Sequence, residues 1–218
     1  LQRTLPNHIG AVQDLALRPA TGAAPPMLSS IGADRTVRLW NVTGQSVKVL
    51  KGHTGSVNSV VWIHGSSTLA TASSDGTVRF WDTITGQSVL ELKNAPRVSC
   101  LDLSPSGATL EVASVGGSVR FWPDCTGQII RKLQGHAVEV TNIRWSADFR
   151  QMVSTAQRVN VFVPDKTPTE TIVWDAASGT ILKSAALPEL APTETTPDDG
   201  YYYIPDNSNI LKISKSVQ

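Results

Sequence analysis

The sequence predicts an all-β protein assembled from repeated four-stranded antiparallel units, and three observations predict it. Tryptophans at Trp40, Trp81 and Trp122 stand 41 residues apart, each closing a run of the type Thr/Ser-Val-Arg-Leu/Phe-Trp. A fixed period of this size is the mark of a stacked repeat. Each Trp is followed by a turn ending in Gly-Gln or Gly-Thr, at 43–45, 85–87, 126–128 and 178–180, whose Gly suits a tight reversal between strands. Between the turns, Val, Ile, Thr and Trp alternate with polar residues, and clusters of Gly, Pro, Asp and Ser recur every 8 to 12 residues. That is the pattern of short strands, and no window of comparable length shows a helical period.

The elements follow in order. Residues 1–5 form an outer strand, ahead of units at about 6–52, 53–93, 94–135 and 136–187. Within each unit three alternating runs lead to the Trp, and a fourth, such as Ser46–Leu50, follows the turn. The fourth unit is longer, because Trp174 lies 52 residues beyond Trp122. Its excess falls at residues 158–168, where an extra β-like run and a Pro-bounded loop interrupt its second and third strands; such an insertion projects on one face of a repeat. Residues 188–218 contain a turn at 197–200 and two alternating runs, 201–205 and 210–214, which make a degenerate last unit without its Trp. The expectation is one domain over 1–218.

Composition excludes several classes. With 40% hydrophobic and 17% charged residues, the chain is too apolar for disorder, and no run of about 18 apolar residues is present to span a bilayer. Net charge is +1, so no global field selects an anionic partner. The first nineteen residues have no basic segment followed by an apolar one, so no secretion signal is expected. Cys100 and Cys125 are too few for a disulfide framework and lack metal spacing. Phosphate-loop, dinucleotide, zinc-protease and calcium-loop motifs are missing, so no cofactor, metal or small-molecule substrate is expected. Asn41 opens an Asn-x-Thr sequence, which reads as a turn at a strand end rather than a glycan acceptor.

Gly-His pairs precede two units, at Gly52-His53 and Gly135-His136, and Asn7-His8 stands in the same place ahead of the first. A unit of about 41 residues carrying Gly-His and Trp-Asp resembles the WD40 repeat, one β-propeller blade per repeat. The resemblance implies a WD40-like propeller of four-stranded antiparallel blades. About five blades are encoded, as a closed five-bladed ring, as part of a larger one, or as a ring completed by a partner chain. It also implies a hydrogen-bonded set in each blade: His8, Ser30, Asp34 and Trp40 in blade 1, and His53, Thr71, Asp75 and Trp81 in blade 2. A catalytic triad would use similar residue types, but it needs one exposed nucleophile and an oxyanion hole, whereas this set recurs blade by blade. Blade 3 has Asn94, Val112, Gly116 and Trp122 at those positions, so its polar set is gone. Blade 4 keeps His136 and Trp174.

The family acts mainly through rigid platforms, so the resemblance implies a non-enzymatic scaffold, intracellular, cytoplasmic or nuclear, that binds peptides or protein subunits rather than a membrane. Positions three residues after the His slot begin the innermost strands near one face: Ala11, Ser56, Arg97 and Glu139. Ser56, Arg97 and Glu139 break the hydrophobic pattern and differ between repeats, as an asymmetric binding surface requires. Arg97 is the strongest candidate, because Arg is enriched at interface hot spots; Arg35 and Arg150 are weaker ones. The alternative is a nucleic-acid-associated subunit, RNA or chromatin, using a band of Arg38, Arg79 and Arg120. The charge split is mild: residues 1–186 hold 17 basic and 13 acidic residues, and 187–218 hold 2 and 5. Trp62 and Trp145 are expected in the core, since a Trp alternating with Val and Ile on a strand packs against its neighbour.

Overall fold

The computed structural model describes residues 5, 8–20, 25–93, 97–123, 131–146, 148–157, 169–187, 201–205 and 210–214. Alternation and turn chemistry place them in strands joined by reversals, with no helix among the described residues. Each unit forms its own antiparallel meander. The first sheet holds β1 (Val12–Arg18), β2 (Met27–Gly32), β3 (Val37–Trp40) and β4 (Ser46–Leu50). The second holds β5 (Val57–Trp62), β6 (Thr68–Ser73), β7 (Thr77–Asp82) and β8 (Ser88–Lys93). The third holds β9 (Val98–Leu103), β10 (Thr109–Ser114), β11 (Ser118–Pro123) and β12 (Arg131–Gln134). The fourth holds β13 (Val140–Trp145), β14 (Gln151–Gln157), β15 (Thr169–Asp175) and β16 (Ile181–Leu187). The strands β17 (Tyr201–Pro205) and β18 (Ile210–Ser214) pair as a two-stranded sheet. The fold is thus all-β with propeller-type blades. The predicted outer strand at 1–5 falls almost wholly outside the described residues, as do the blade 4 insertion at 158–168 and Cys125.

Sequential sheets face one another through three apolar cores, because inner strands such as β5, β6 and β7 bury apolar residues on both faces. Ile31, Leu39 and Leu50 of the first sheet meet Val60, Trp62, Leu69 and Trp81 of the second. Ala72, Phe80 and Leu92 of the second meet Leu101, Leu110 and Trp122 of the third. Ala113, Phe121 and Leu133 of the third meet Ile143, Trp145, Met152 and Trp174 of the fourth. Trp62 and Trp145 therefore lie in the core.

Polar bonds lock the same interfaces. Asp14 accepts from the Val60 N–H at 3.1 Å, and the Trp62 indole donates to the Ala16 carbonyl at 3.2 Å. Farther out, Lys48 on β4 donates to the Thr83 and Ile84 carbonyls in the next blade's turn. Arg131 on β12 does the same to Ala176 and Ala177. A basic residue on the outer strand thus caps the next turn in two of the interfaces.

Candidate functional site

The meander order puts the connection between the second and third strands, and the residue before the first strand, at one end of each four-stranded sheet. The first-to-second and third-to-fourth connections lie at the other. The first end carries the histidine sets. In blade 2, His53 Nδ1 lies 2.8 Å from Asp75 Oδ2 and Nε2 lies 2.8 Å from Thr71 Oγ1, which also accepts from the Trp81 indole at 2.8 Å. Blade 1 repeats this with His8, Asp34, Ser30 and Trp40 at 2.9, 2.8 and 2.8 Å. One proton assignment satisfies every group: the indole N–H donates to the hydroxyl, the hydroxyl to Nε2, and Nδ1–H to the carboxylate. That assignment needs a neutral imidazole. Burial holds His53 below its ordinary value, against the pull of Asp75, and so favours the neutral form.

The aspartates are held as anions. Burial pushes Asp34 up, but bonds from Thr36, the Ile9 and Thr36 N–H groups and His8 outweigh it and bring the carboxyl to about 2. Asp75 follows the same pattern, with Thr77, His53 and Thr54 holding it well below the usual range. Each aspartate also ties the residue after its histidine to the turn, through Ile9 N at 3.0 Å and Thr54 N at 2.9 Å.

Blade 4 has a complete set that sequence reasoning missed. His136 Nδ1 meets Glu170 Oε2 at 2.9 Å, Nε2 meets Ser154 Oγ at 2.7 Å, and the Trp174 indole donates to Ser154 at 2.6 Å. The carboxylate comes from the far side of the insertion, on β15, and is Glu rather than Asp. A signal was present, because His136 and Ser154 are 18 residues apart, as are His53 and Thr71.

Blade 3 lacks the set. Val112 fills the hydroxyl slot, and the buried Trp122 Nε1 has no hydrogen-bond partner; Asn94 lies outside the described residues. A prediction follows from the contrast. Trp81→Phe leaves Thr71 without its donor and is expected to cost about 1–3 kcal/mol, whereas Trp122→Phe removes an orphaned donor and should be close to neutral. Paired urea unfolding of the two variants checks this, and equal losses would contradict it.

The hydroxyls are poor nucleophile candidates. Ser30, Thr71 and Ser154 are buried, and each already binds a histidine and an indole. Among the described residues no group of three or more His, Cys, Asp or Glu could hold a metal ion. Cys100 is a buried free thiol that burial pushes up to about 12, far from reactive. Asn41 uses its carbonyl oxygen on Thr43 and Gln45, as a turn-former does.

Ala11, Ser56, Arg97 and Glu139 sit immediately before β1, β5, β9 and β13 at the histidine end. Each accepts through its carbonyl from the end of its own blade's second strand or the residue just after it: Ala33 N at 2.9, Ser74 N at 2.9, Val115 N at 3.1 and Gln157 N at 3.0 Å. They are structurally equivalent. Arg97 is exposed and donates across the blade boundary to Ser74 Oγ at 3.2 Å, while Ser56 and Glu139 are half-buried. Arg35 is exposed on the same end, with φ +66 where blades 2 and 3 have Gly76 and Gly117. Arg150 lies instead in the β13–β14 turn at the opposite end. Of the arginine band, Arg79 is ion-paired to Glu91 at 2.6 Å, so the band is not three free cations.

Comparison with known proteins follows the repeat. Residues 44–82 match the family described as WD domain, G-beta repeat, a window that begins before β4 and ends with β7. A stretch of 63 residues, 27% of the chain, is 40% identical to the nuclear distribution protein PAC1 of Coccidioides posadasii (strain C735). That stretch spans 13% of the relative's length.

Proposed function

We infer, from the premise that this chain belongs to the WD40-repeat proteins, that it is a non-enzymatic scaffold holding peptides or protein subunits at the histidine end of its blades. The observation that carries this reading is the equivalence of Ala11, Ser56, Arg97 and Glu139. One backbone bond fixes each position in the same way, while the side chains differ in size and charge. A rigid frame with variable tips is what selective binding needs, because little ordering is then lost on association. Arg97 is the central contact, with Ser56, Glu139 and Arg35 around it. Arg35 adds support, since a side chain in left-handed backbone is costly and such positions concentrate where function requires them. The same reading treats residues 1–218 as one propeller domain, with 188–218 as a degenerate last blade, and places the protein inside the cell, in cytoplasm or nucleus.

Arg97→Glu tests it. The substitution touches an exposed side chain whose bond among the described residues is to Ser74, so the melting temperature should stay within a few degrees of the parent. Capture of the protein's partner in a pull-down should fall by about tenfold or more, as for a charged hot spot. Undiminished capture by a folded Arg97→Glu protein would defeat the assignment of this end.

A further inference from the structure

The first strands of the four sheets align residue for residue. Each begins with Val: Val12, Val57, Val98 and Val140 pair with Gly32, Ser73, Ser114 and Ala156 on the second strand. In the same register Leu15 corresponds to Val60, Leu101 and Ile143, and Leu17 to Trp62, Leu103 and Trp145. In blades 2, 3 and 4 these residues pack in or against the core shared with the preceding blade. Val57, Val98 and Val140 are fully buried there, and Val60, Leu101 and Ile143 are no more than 3% exposed. In blade 1 the same positions stand open: Val12 is 50%, Leu15 56% and Leu17 64% exposed.

These three side chains lie on the face turned away from blade 2. The alternate residues of β1 are the ones that meet blade 2: Asp14 accepts from Ser59 Oγ and the Val60 N–H, and Arg18 lies over the Trp62 ring at 5.0 Å. On the same open face Leu28 of β2 is half-buried, where its counterparts Leu69, Leu110 and Met152 are buried. The result is a contiguous apolar patch at positions that the other three blades cover, the kind of surface that marks a contact.

The chemistry of the patch selects its cover. Val12, Leu15 and Leu17 carry no charge, and Arg38, in the row Leu15, Ser30, Arg38 and Val49, lies two strands away, about 10 Å. His8 and Asp34 beside Ser30 satisfy each other. A charged segment would find no ion pair at the centre of such a patch. A two-fold contact sets it on its own image, apolar on apolar, with no like charges facing there. The outward face of blade 4 does not match it. Arg144 and Thr155 stand on that face where blade 1 has Ala16 and Ile31 and blade 2 has Val61 and Ala72, so a head-to-tail contact would set a guanidinium against leucines. A net charge of +1 leaves two copies free to approach.

We propose that this face is the contact of a two-fold dimer, in which blade 1 of one copy packs on blade 1 of a second through Val12, Leu15 and Leu17. Each leucine then gains the cover that the preceding blade gives its counterparts. The contact lies two blades from Arg97, so it and the binding role of that residue fail separately.

The test is light scattering on a sizing column, run on the full chain from about 1 to about 100 µM, a range that spans the dissociation of a micromolar dimer. The mass should be that of two chains at the upper end and fall toward one on dilution. Leu17→Glu, and Leu15→Glu with Leu17→Glu, should weaken the dimer about tenfold or more, while Arg97→Glu leaves it intact. Leu17→Ser is the milder variant and should weaken it in the same sense if the glutamates prevent folding. At a concentration where the parent is dissociated, Leu17→Glu should keep the parent's melting temperature within a few degrees, because the side chain is already in water. A parent that remains a single chain throughout overturns the proposal. So does a dimer indifferent to the leucine variants, or a mass that climbs beyond two chains, which would mean an open head-to-tail assembly. A drop of many degrees with Leu17→Glu in the dissociated protein would show that the chain's own residues cover the patch, and would overturn it as well.

Discussion

Truncating Trp81 to alanine is expected to destabilise the protein by about 3–5 kcal/mol, the range for a buried Trp reduced to a methyl group. The indole is 2% exposed and belongs to the core between blades 1 and 2, with Ile31, Leu39 and Leu50 across the interface. Its loss opens a cavity between sheets that are each tied to a backbone meander and cannot collapse freely. It also removes the donor to Thr71 and the edge-on contact with His53, whose ring centroid lies 6.0 Å away. For a chain of this size the melting temperature should drop by roughly 6–20 °C, read by circular dichroism. An unchanged transition would remove Trp81 from the core.

Raising the pH should weaken the joint between blades 3 and 4, and Asp102→Asn with Glu111→Gln should abolish that weakening. Glu111 and Asp102 face each other across β10 and β9. Glu111 is fully buried, accepts from the Trp145 indole at 3.1 Å through Oε2, and leaves Oε1 without a partner. Burial lifts Glu111 well above its usual range, and Asp102 adds repulsion. Burial likewise lifts Asp102 to about 6, against the opposing charge of Arg144. A carboxyl raised in this way binds its proton more tightly folded than unfolded. Its contribution is therefore full below the unfolded value of 3.8 and is lost as pH rises to about 6. For Asp102 that loss is at most about 3 kcal/mol, and Glu111 adds a loss of the same sign. His53, Asp34 and Asp75 have lowered values and act in the opposite sense, losing stability as pH falls. The informative quantity is thus the difference between parent and double variant in urea unfolding from about pH 4 to about pH 8, which should grow with pH. A difference that stays flat would mean that neither carboxyl is held protonated by the fold.

The buried carboxyl of Glu111 also shows how blade 3 differs from its neighbours. Val112 replaces the hydroxyl that binds Trp and His elsewhere, and Glu111, one residue earlier, points to the other face of the strand and bonds the next blade. Polar contact has moved from within a blade to between blades. Alternation on a strand makes such a shift a matter of one residue.

Strand number, order and antiparallel pairing were legible in the sequence because a fixed period and a two-residue alternation are local properties. The Trp, the turn glycines and the His-to-hydroxyl spacing in blades 1 and 2 belong to that class. Tertiary structure decided what depends on residues distant in the chain. Glu170 completes the blade 4 set from four residues before Trp174, where Asp34 and Asp75 stand six before Trp40 and Trp81, so the spacing of the other blades does not point to it. The partners of Lys48 and Arg131 lie in the neighbouring blade's turn, about 35 to 46 residues away, so no local pattern marks them. Arg35 reads as an ordinary turn residue until its backbone angle is known, since a left-handed conformation leaves no mark on residue type except where glycine supplies it. Composition and period determine which faces meet; only the packed sheets determine which side chains the meeting satisfies and which it leaves exposed for a partner.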